Sequence, residues 1–275
     1  MAIPQLENKL VFITGAASGI GAATARVFAE QGCRLVLADL SEQLLQDTVN
    51  NVRCLTREVH PIALDVSDQQ QFEQVAQTVC ERIGVPHVLI NNAGIGALGS
   101  FLNTPIEEVR KVMDVNFWGV LNGCRAFLPR MQEAGEPRHL ANVASMASIS
   151  PAPNMSAYAA SKFAVHGLTE VIAMELHHSD IGVSCVHPGV INTPIAQAQS
   201  YNPDGAKQAQ RLSQYYQANG SNPRVVAGAI LKAVQTGRAH THTGAGARLT
   251  AIMKRISPRL TRKLTMSAAE KMGYA

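Results

Sequence analysis

Leu10-Val11-Phe12-Ile13-Thr14-Gly15-Ala16-Ala17-Ser18-Gly19-Ile20-Gly21 is the stretch on which the fold turns. A short apolar run bounded by glycine reads as a buried strand. The Ala-rich residues that follow predict a helix over about 19–31. Glycines between the two permit a tight turn and let backbone approach a pyrophosphate held at the positive end of the helix. The spacing is Gly-x-x-x-Gly-x-Gly, and without a ligand the same residues read as a tight strand–helix turn.

The alternation continues outward. Strands are expected at 34–38, 61–64, 88–90, 139–143, 183–186 and 239–243. Helices are expected at 41–53, from the capping Asp68 toward Gly84, from Thr104-Pro105 toward Met131, and around Tyr158. Repeated strand–helix units of this size imply an α/β fold: a Rossmann-type, doubly wound parallel sheet in three layers, with helices on both faces. Its ligand belongs beyond the carboxyl ends of the strands. No internal repeat or low-complexity linker divides the 275 residues, so 1–275 reads as one domain.

Composition narrows the class. The opening residues Met1-Ala2-Ile3-Pro4-Gln5 carry neither a basic nor an apolar leader region, and no apolar run reaches membrane-spanning length. The five cysteines are scattered without a Cys-x-x-Cys, which fits reduced thiols in a cytoplasmic protein and gives no sign of a metal site. The net charge of +4 is uneven: residues 205–269 hold 11 Lys or Arg and no acid, leaving 13 basic against 20 acidic residues elsewhere.

Two features carry chemistry. Tyr158 and Lys162 stand four apart in an expected helix and so share a face. A phenol titrates near pH ~10, and a neighbouring cation lowers that value, so the pair can exchange a proton with an alcohol or ketone oxygen. A surface Tyr–Lys pair is the plainer reading of that spacing alone. Asp39 ends the second strand, 18 residues beyond Gly21. There a carboxylate can accept hydrogen bonds from an adenosine ribose and would repel a 2′-phosphate, unless it merely caps a helix.

In order and spacing, the chain closely resembles the short-chain dehydrogenase/reductases of about 250 residues. The likeness rests on Thr14 to Gly21, Asp65-Val66, Asn91-Asn92-Ala93-Gly94, Asn116, Ser145, Tyr158-x-x-x-Lys162, and Pro188-Gly189 with Thr193. The resemblance implies NAD as cofactor, held by Gly15, Ser18, Gly19, Ile20, Gly21, Asp39, Asp65, Val66, Asn92, Ala93, Gly94, Tyr158, Lys162, Pro188, Gly189, Val190 and Thr193. It implies Tyr158 as acid/base, Ser145 on the substrate oxygen, Lys162 on the nicotinamide ribose, and Asn116 supporting a water that links Lys162 to solvent. Ser148 is a nearby rival to Ser145. His87, where many members have Asp, reads as a surface or loop histidine, and His166 as packing or solvated.

The substrate region suggests an apolar alcohol or ketone (a steroid, retinoid, terpenoid or aliphatic/hydroxyacyl chain), contacted by Ile95, Leu98, Met146, Ile149, Pro151, Pro153, Met155, Ile195, Tyr201, Tyr215 and Tyr216, unless these are core. Residues 190–223 read as a mobile polar lid punctuated by Pro203-Asp204-Gly205. Family habit and the apolar candidates Val112, Phe127, Val171 and Met174 imply a homodimer or homotetramer. Leu249, Ile252, Met253, Ile256, Leu260 and Leu264 share a helical face ringed by basic residues, in two short helices joined at Ser257-Pro258. That extension, 246–275, packs on the protein or a subunit, or lies on an anionic membrane surface. Nucleic-acid binding is not expected, since aromatic residues do not interleave its charges. The competing reading of the whole is an NAD(H)-binding redox sensor without turnover.

Overall fold

The computed structural model describes residues 1–197, 199–200 and 203–271, with the side chains of 196, 197, 199, 200 and 203–205 left aside. Tyr201 therefore lies outside the described residues. In chain order the elements are β1 (Leu10–Thr14), α1 (Gly19–Ala29), β2 (Arg34–Asp39), α2 (Glu42–Val52), β3 (Val59–Ala63), α3 (Gln69–Arg82), β4 (Val88–Asn91) and β5 (Ala97–Leu98). Then come α4 (Ile106–Met113), α5 (Gly119–Glu133), β6 (Arg138–Val143), α6 (Ser156–Glu175), β7 (Ile181–Pro188), β8 (Gln199–Ser200), α7 (Pro203–Asn219), α8 (Pro223–Thr236), β9 (His240–Thr243), α9 (Ala247–Ile256) and α10 (Pro258–Lys271).

Seven strands form one sheet in the order β3-β2-β1-β4-β6-β7-β9, all parallel. Alternation along β1 shows why both faces must be covered. Val11 and Ile13 enter a core with Phe28 of α1, Val49 of α2 and Ile230 of α8. Leu10 and Phe12 enter the opposite core with Phe72 of α3, Phe127 of α5 and Val165 of α6. Phe12 lies 4.7 Å from Phe127 and 6.3 Å from Phe72, ring centre to ring centre. The chain winds outward from β1 to β3 and then returns to β4 on the other side of β1. That reversal opens the crevice at the β1 and β4 carboxyl ends.

Several sequence expectations shift. The long helix from Thr104-Pro105 is real but interrupted: Asp114–Trp118 is a π-helical segment between α4 and α5, and Pro105 caps α4 rather than starting it. The polar stretch expected as a lid holds the 17-residue helix α7. Pro203, read as punctuation, opens that helix, where a missing N–H costs nothing. β5 and β8 pair in a separate two-stranded sheet. Val112 and Phe127 are fully buried, because Val112 packs with Ala97 and Ala157 and Phe127 joins the aromatic trio. The tail folds as the two helices α9 and α10 with Ser257 between them. Its apolar residues Leu249, Ile252, Ile256, Leu260 and Leu264 face solvent and leave the chain's own core untouched. No helix among the described residues is long and apolar enough to cross a membrane.

His87 stands in the loop just before β4, as one of its two readings has it, but its side chain is largely buried. Its Nδ1 accepts the N–H of Leu10 at 3.1 Å, and its own N–H donates to the Leu10 carbonyl at 2.8 Å, so it fastens the start of β1. A protonated ring cannot accept that bond. Burial holds the His87 pKa down at about 4, and burial does the same to His139 on β6. Both folded values lie below the ordinary 6.5. As pH falls below that value, the unfolded chain takes up protons that the folded chain refuses. Stability contributed by the neutral rings is therefore present above pH 6.5 and lost toward about 4. The urea midpoint is expected to fall across this window, and His87→Asn to flatten the fall. A midpoint constant down to pH 4.5 would contradict the assignment.

Candidate active site

The crevice begins with a knot of hydrogen bonds between β1 and β4. Thr14 Oγ1 accepts the backbone N–H groups of Asn92 and Ala93, each at 3.0 Å. Asn92 Nδ2 donates to the carbonyls of Thr14 (2.9 Å) and Gly15 (3.1 Å). Glycine is required here: a Cβ on Gly15 would lie 2.8 Å from Ala93 Cα, and one on Gly21 would lie 1.9 Å from the Gly15 oxygen. Ser18 precedes α1 in extended conformation, and its side chain makes no capping bond to the first turn formed by Gly19, Ile20 and Gly21. Asp39 reaches this loop from the end of β2, with Oδ2 accepting the Ala17 N–H and Oδ1 the Leu40 N–H, both at 2.9 Å.

Tyr158, Ser145, Lys162 and Asn116 converge at the carboxyl ends of β4 and β6. Ser145 follows β6 and hydrogen-bonds the Tyr158 phenol. Its Oγ also accepts the Ala147 N–H at 3.1 Å, so it caps the following turn as well. Ser148 is separated from the pair: its hydroxyl donates to the Ser145 carbonyl at 2.6 Å and faces His187. Lys162 is buried, with Nζ donating to the Val143 carbonyl at 2.9 Å and lying 5.9 Å from the centre of the Tyr158 ring. Asn116 sits in the π segment. Its Oδ1 accepts the Ile95 N–H at 2.8 Å, and its Nδ2 donates to the Ile95 carbonyl at 3.0 Å and to Ser161 Oγ at 3.1 Å. Ser161 in turn donates to the Tyr158 carbonyl. The widened turn is what lets Asn116 face inward and bond the loop after β4. Gly94 lies between the two: a Cβ there would sit 3.1 Å from Asn116 Oδ1 and 3.4 Å from Lys162 Nζ.

The electrostatics differ from the sequence expectation. Burial raises the Tyr158 pKa above 10.0, opposed by the Ser145 hydrogen bond. Burial also lowers Lys162 to about 8. Desolvation favours the neutral form of both groups and outweighs the attraction expected between ammonium and phenolate.

The remaining expected residues divide. Asp65 is exposed, and its Oδ1 accepts the N–H and hydroxyl of Ser67 at 2.9 and 2.6 Å, a local turn just before the Asp68 cap of α3. Val66 is buried, and its carbonyl accepts from Asn122. Asn92 is turned toward the glycine loop. Pro188 ends β7, Gly189 donates to the Thr243 carbonyl at 2.8 Å, and Val190 accepts from Ser221 at 2.9 Å. Thr193 comes close to the loop, 3.2 Å from where a Gly19 Cβ would be, and its Oγ1 is buried with no partner among the described residues. An uncapped helix terminus, glycine-lined backbone, the Asp39 carboxylate and an orphaned hydroxyl together fit a dinucleotide.

Apolar cover comes from the far side of the crevice. Leu98 packs with Ala209 and Leu212 of α7 and Ala269 of α10, and Met155 and Tyr216 lie against them. Tyr216 belongs to the same surroundings as the active-site phenol: burial first, then the Tyr158 charge, raises its pKa to about 12. Sequence reasoning included Tyr216 only as a pocket residue, placed Thr14 in the glycine motif without giving it a role, and passed over Ser161.

The fold and these side chains define a doubly wound α/β protein whose crevice fits a dinucleotide. A model of the short chain dehydrogenase family matches residues 9–204, and the chain belongs to that family. The oxidoreductase EphD of Mycobacterium tuberculosis is 37% identical over 234 residues, covering 83% of this chain and 40% of EphD, so this chain spans less than half of that relative's length. SadH of the same organism, also named as an oxidoreductase, is 34% identical over 256 residues, 92% of each chain. Among solved structures, a short-chain dehydrogenase/reductase from Burkholderia phymatum in complex with NAD superposes with a TM-score of 0.88. It is 31% identical, and the match covers 94% of this chain and 97% of that one.

Proposed function

We propose that the protein interconverts an apolar secondary alcohol and its ketone with NAD(H), and that Tyr158 transfers the proton. The observation that carries this reading is the Tyr158–Ser145 hydrogen bond beside buried Lys162, beneath the apolar cover of α7. When bound, the nicotinamide supplies the hydride chemistry. Ser145 holds the substrate oxygen and stabilises charge that develops on it. Tyr158 gives that oxygen a proton in reduction and takes one in oxidation. Lys162 would hold the nicotinamide ribose, and Asn116 fixes the loop that Lys162 faces. Leu98, Met155 and Tyr216 exclude water from the phenol and favour an apolar substrate. A redox sensor without turnover has no need of the Tyr158–Ser145 pair.

Because burial keeps the phenol neutral and raises its pKa above the ordinary 10.0, reduction is expected to hold through neutral pH, whereas oxidation, which needs the phenolate, should keep climbing as pH rises through the alkaline range. Tyr158→Phe keeps the ring but removes the proton. Turnover should drop by roughly 10²-fold or more, with NADH binding nearly unchanged in a fluorescence titration. Retained turnover in that variant would remove Tyr158 from the mechanism.

Cofactor choice follows from Asp39. Its carboxylate beside the glycine loop would face the 2′-phosphate of NADP, and like charges at that distance repel. NAD(H) should give the higher kcat/KM, and Asp39→Ala combined with Leu40→Arg should narrow the difference. Leu40 is exposed, so the new side chain costs no core packing. A wild-type preference for NADP(H) would defeat the assignment.

Two exposed apolar faces suggest partners. Phe163, Val171 and Met174 lie on one face of α6, a helix that touches the π segment, whose Trp118 is also exposed. We assign this face to a second copy of the chain, as family habit implies. Leu249, Ile252, Ile256, Leu260 and Leu264 are surrounded by Arg248, Arg255, Arg259, Arg262 and Lys263, all exposed. That charge suits an anionic lipid surface, where apolar substrates also collect. Light scattering and vesicle co-sedimentation separate the two. Val171→Glu with Met174→Glu should yield the 29.4 kDa monomer and leave vesicle binding intact. Ile252→Glu with Leu260→Glu should abolish binding to anionic vesicles at low salt and leave the oligomer intact. A wild-type monomer at micromolar concentration would refute the first assignment, and indifference to anionic vesicles the second.

A further inference from the structure

Three histidines remote in sequence meet behind the active-site serine. His166 belongs to α6, His187 to β7 and His240 to the edge strand β9. One ring nitrogen from each lies within 4.8 Å of the others. Their neighbours assign the ring protons. The Ser148 hydroxyl gives its hydrogen to the Ser145 carbonyl at 2.6 Å, so its oxygen accepts from His187 Nδ1 at 3.1 Å. The Ser145 carbonyl, which can only accept, lies 3.4 Å from the same nitrogen. Nδ1 of His187 therefore carries the hydrogen, and the lone pair of the neutral ring is at Nε2. On β9, His240 Nε2 lies 2.8 Å from Glu170 Oε1. A carboxylate accepts, so this nitrogen carries the hydrogen and the lone pair of neutral His240 is at Nδ1.

These two lone pairs face each other across 3.4 Å. Two acceptors in that arrangement need a proton or a cation between them. In a tetrahedral site with metal–nitrogen bonds of about 2.0–2.1 Å, neighbouring nitrogens stand about 3.3–3.4 Å apart, so the pair already has the required separation. Each ring also has its other nitrogen tied to an oxygen acceptor, His240 to Glu170 and His187 to Ser148 and Ser145. That outer arrangement orients metal-ligating imidazoles. His166 meets His187 edge to face, ring centres 4.7 Å apart at 73°, and its ring nitrogen already lies within 4.8 Å of the other two. His242 lies nearly parallel to His187, ring centres 5.1 Å apart at 15°, and is not among the three histidines whose nitrogens converge.

We propose that His166, His187 and His240 bind a divalent transition metal of the kind that prefers imidazole, namely zinc, nickel or copper(II), with Glu170 and Ser148 orienting the ligands. The bound ion fastens the edge strand β9 to α6 and to the turn that carries Ser145. The site rests on these side chains alone and stands or falls independently of the reaction proposed above.

The test uses the full chain without a histidine tag and without added cofactor. Cobalt(II), whose visible absorption reports tetrahedral nitrogen ligation, is titrated in and then displaced with zinc. One equivalent should bind and zinc should displace it. His240→Gln, a half-exposed edge-strand change, should remove the absorption. Glu170→Gln should weaken binding about 10- to 100-fold. His177→Gln, in the exposed His177–His178 pair, should leave it unchanged. Zinc should also raise the melting temperature of the wild type and leave that of His240→Gln where it was, with circular dichroism confirming that the variant is folded. Absence of cobalt binding, or binding that His240→Gln does not alter, overturns the site and leaves the two rings sharing a proton only.

Discussion

The constraint on which the rest depends is the close approach of β1 and β4 at their carboxyl ends. Thr14 Oγ1 takes two backbone N–H groups from the strand beside it, and Asn92 returns two bonds from its amide to the loop. No side chain fits at positions 15 or 21 once the strands are this close. The result is a rigid rim at the point where the chain reverses direction in the sheet. Helix α1 starts from that rim, Asp39 bonds to it, and Thr193 closes over it. Deeper in, Asn91 donates to Asn142 at 2.9 Å and Asn142 to Thr169 at 3.0 Å, a buried polar line joining β4, β6 and α6. Buried amides are costly unless bonded, so this line admits few alternative registers.

Desolvation dominates the chemistry built on that frame. Tyr158 and Lys162 are each pushed toward the neutral form, and both are held by groups fixed elsewhere: Ser145 by its turn, Val143 by β6, and Asn116 by the π segment. The apolar cover that excludes water comes from α7 and α10, late in the chain.

The C-terminal third links three devices through one edge strand. β9 pairs with β7, receives His187 and Glu170 against its histidines, and leads directly into the basic helices. A strand with only one neighbour in the sheet has fewer ladder bonds to hold it, so side-chain contacts across it matter more than they would at the centre.

By itself the sequence determined the layers and the rim. Apolar runs such as residues 10–13 must be buried on both faces, and the glycine spacing leaves a single kind of strand–helix turn. Local rules also located Tyr158 and Lys162 on one helix face and divided the tail at Ser257-Pro258. Only the tertiary structure decided what depends on distant residues. Helix α7 was hidden because its composition is polar and its apolar contacts, Leu98 and Ala269, lie far away in the chain. Val112 and Phe127 were judged outward by position, yet neighbouring elements cover them. His87 became an acceptor for β1, and His166, His187 and His240 became one cluster, because separate strands and a helix bring them together. The direction of the Tyr158 and Lys162 shifts belongs here too, since burial is a property of the folded assembly and is absent from the spacing of two residues.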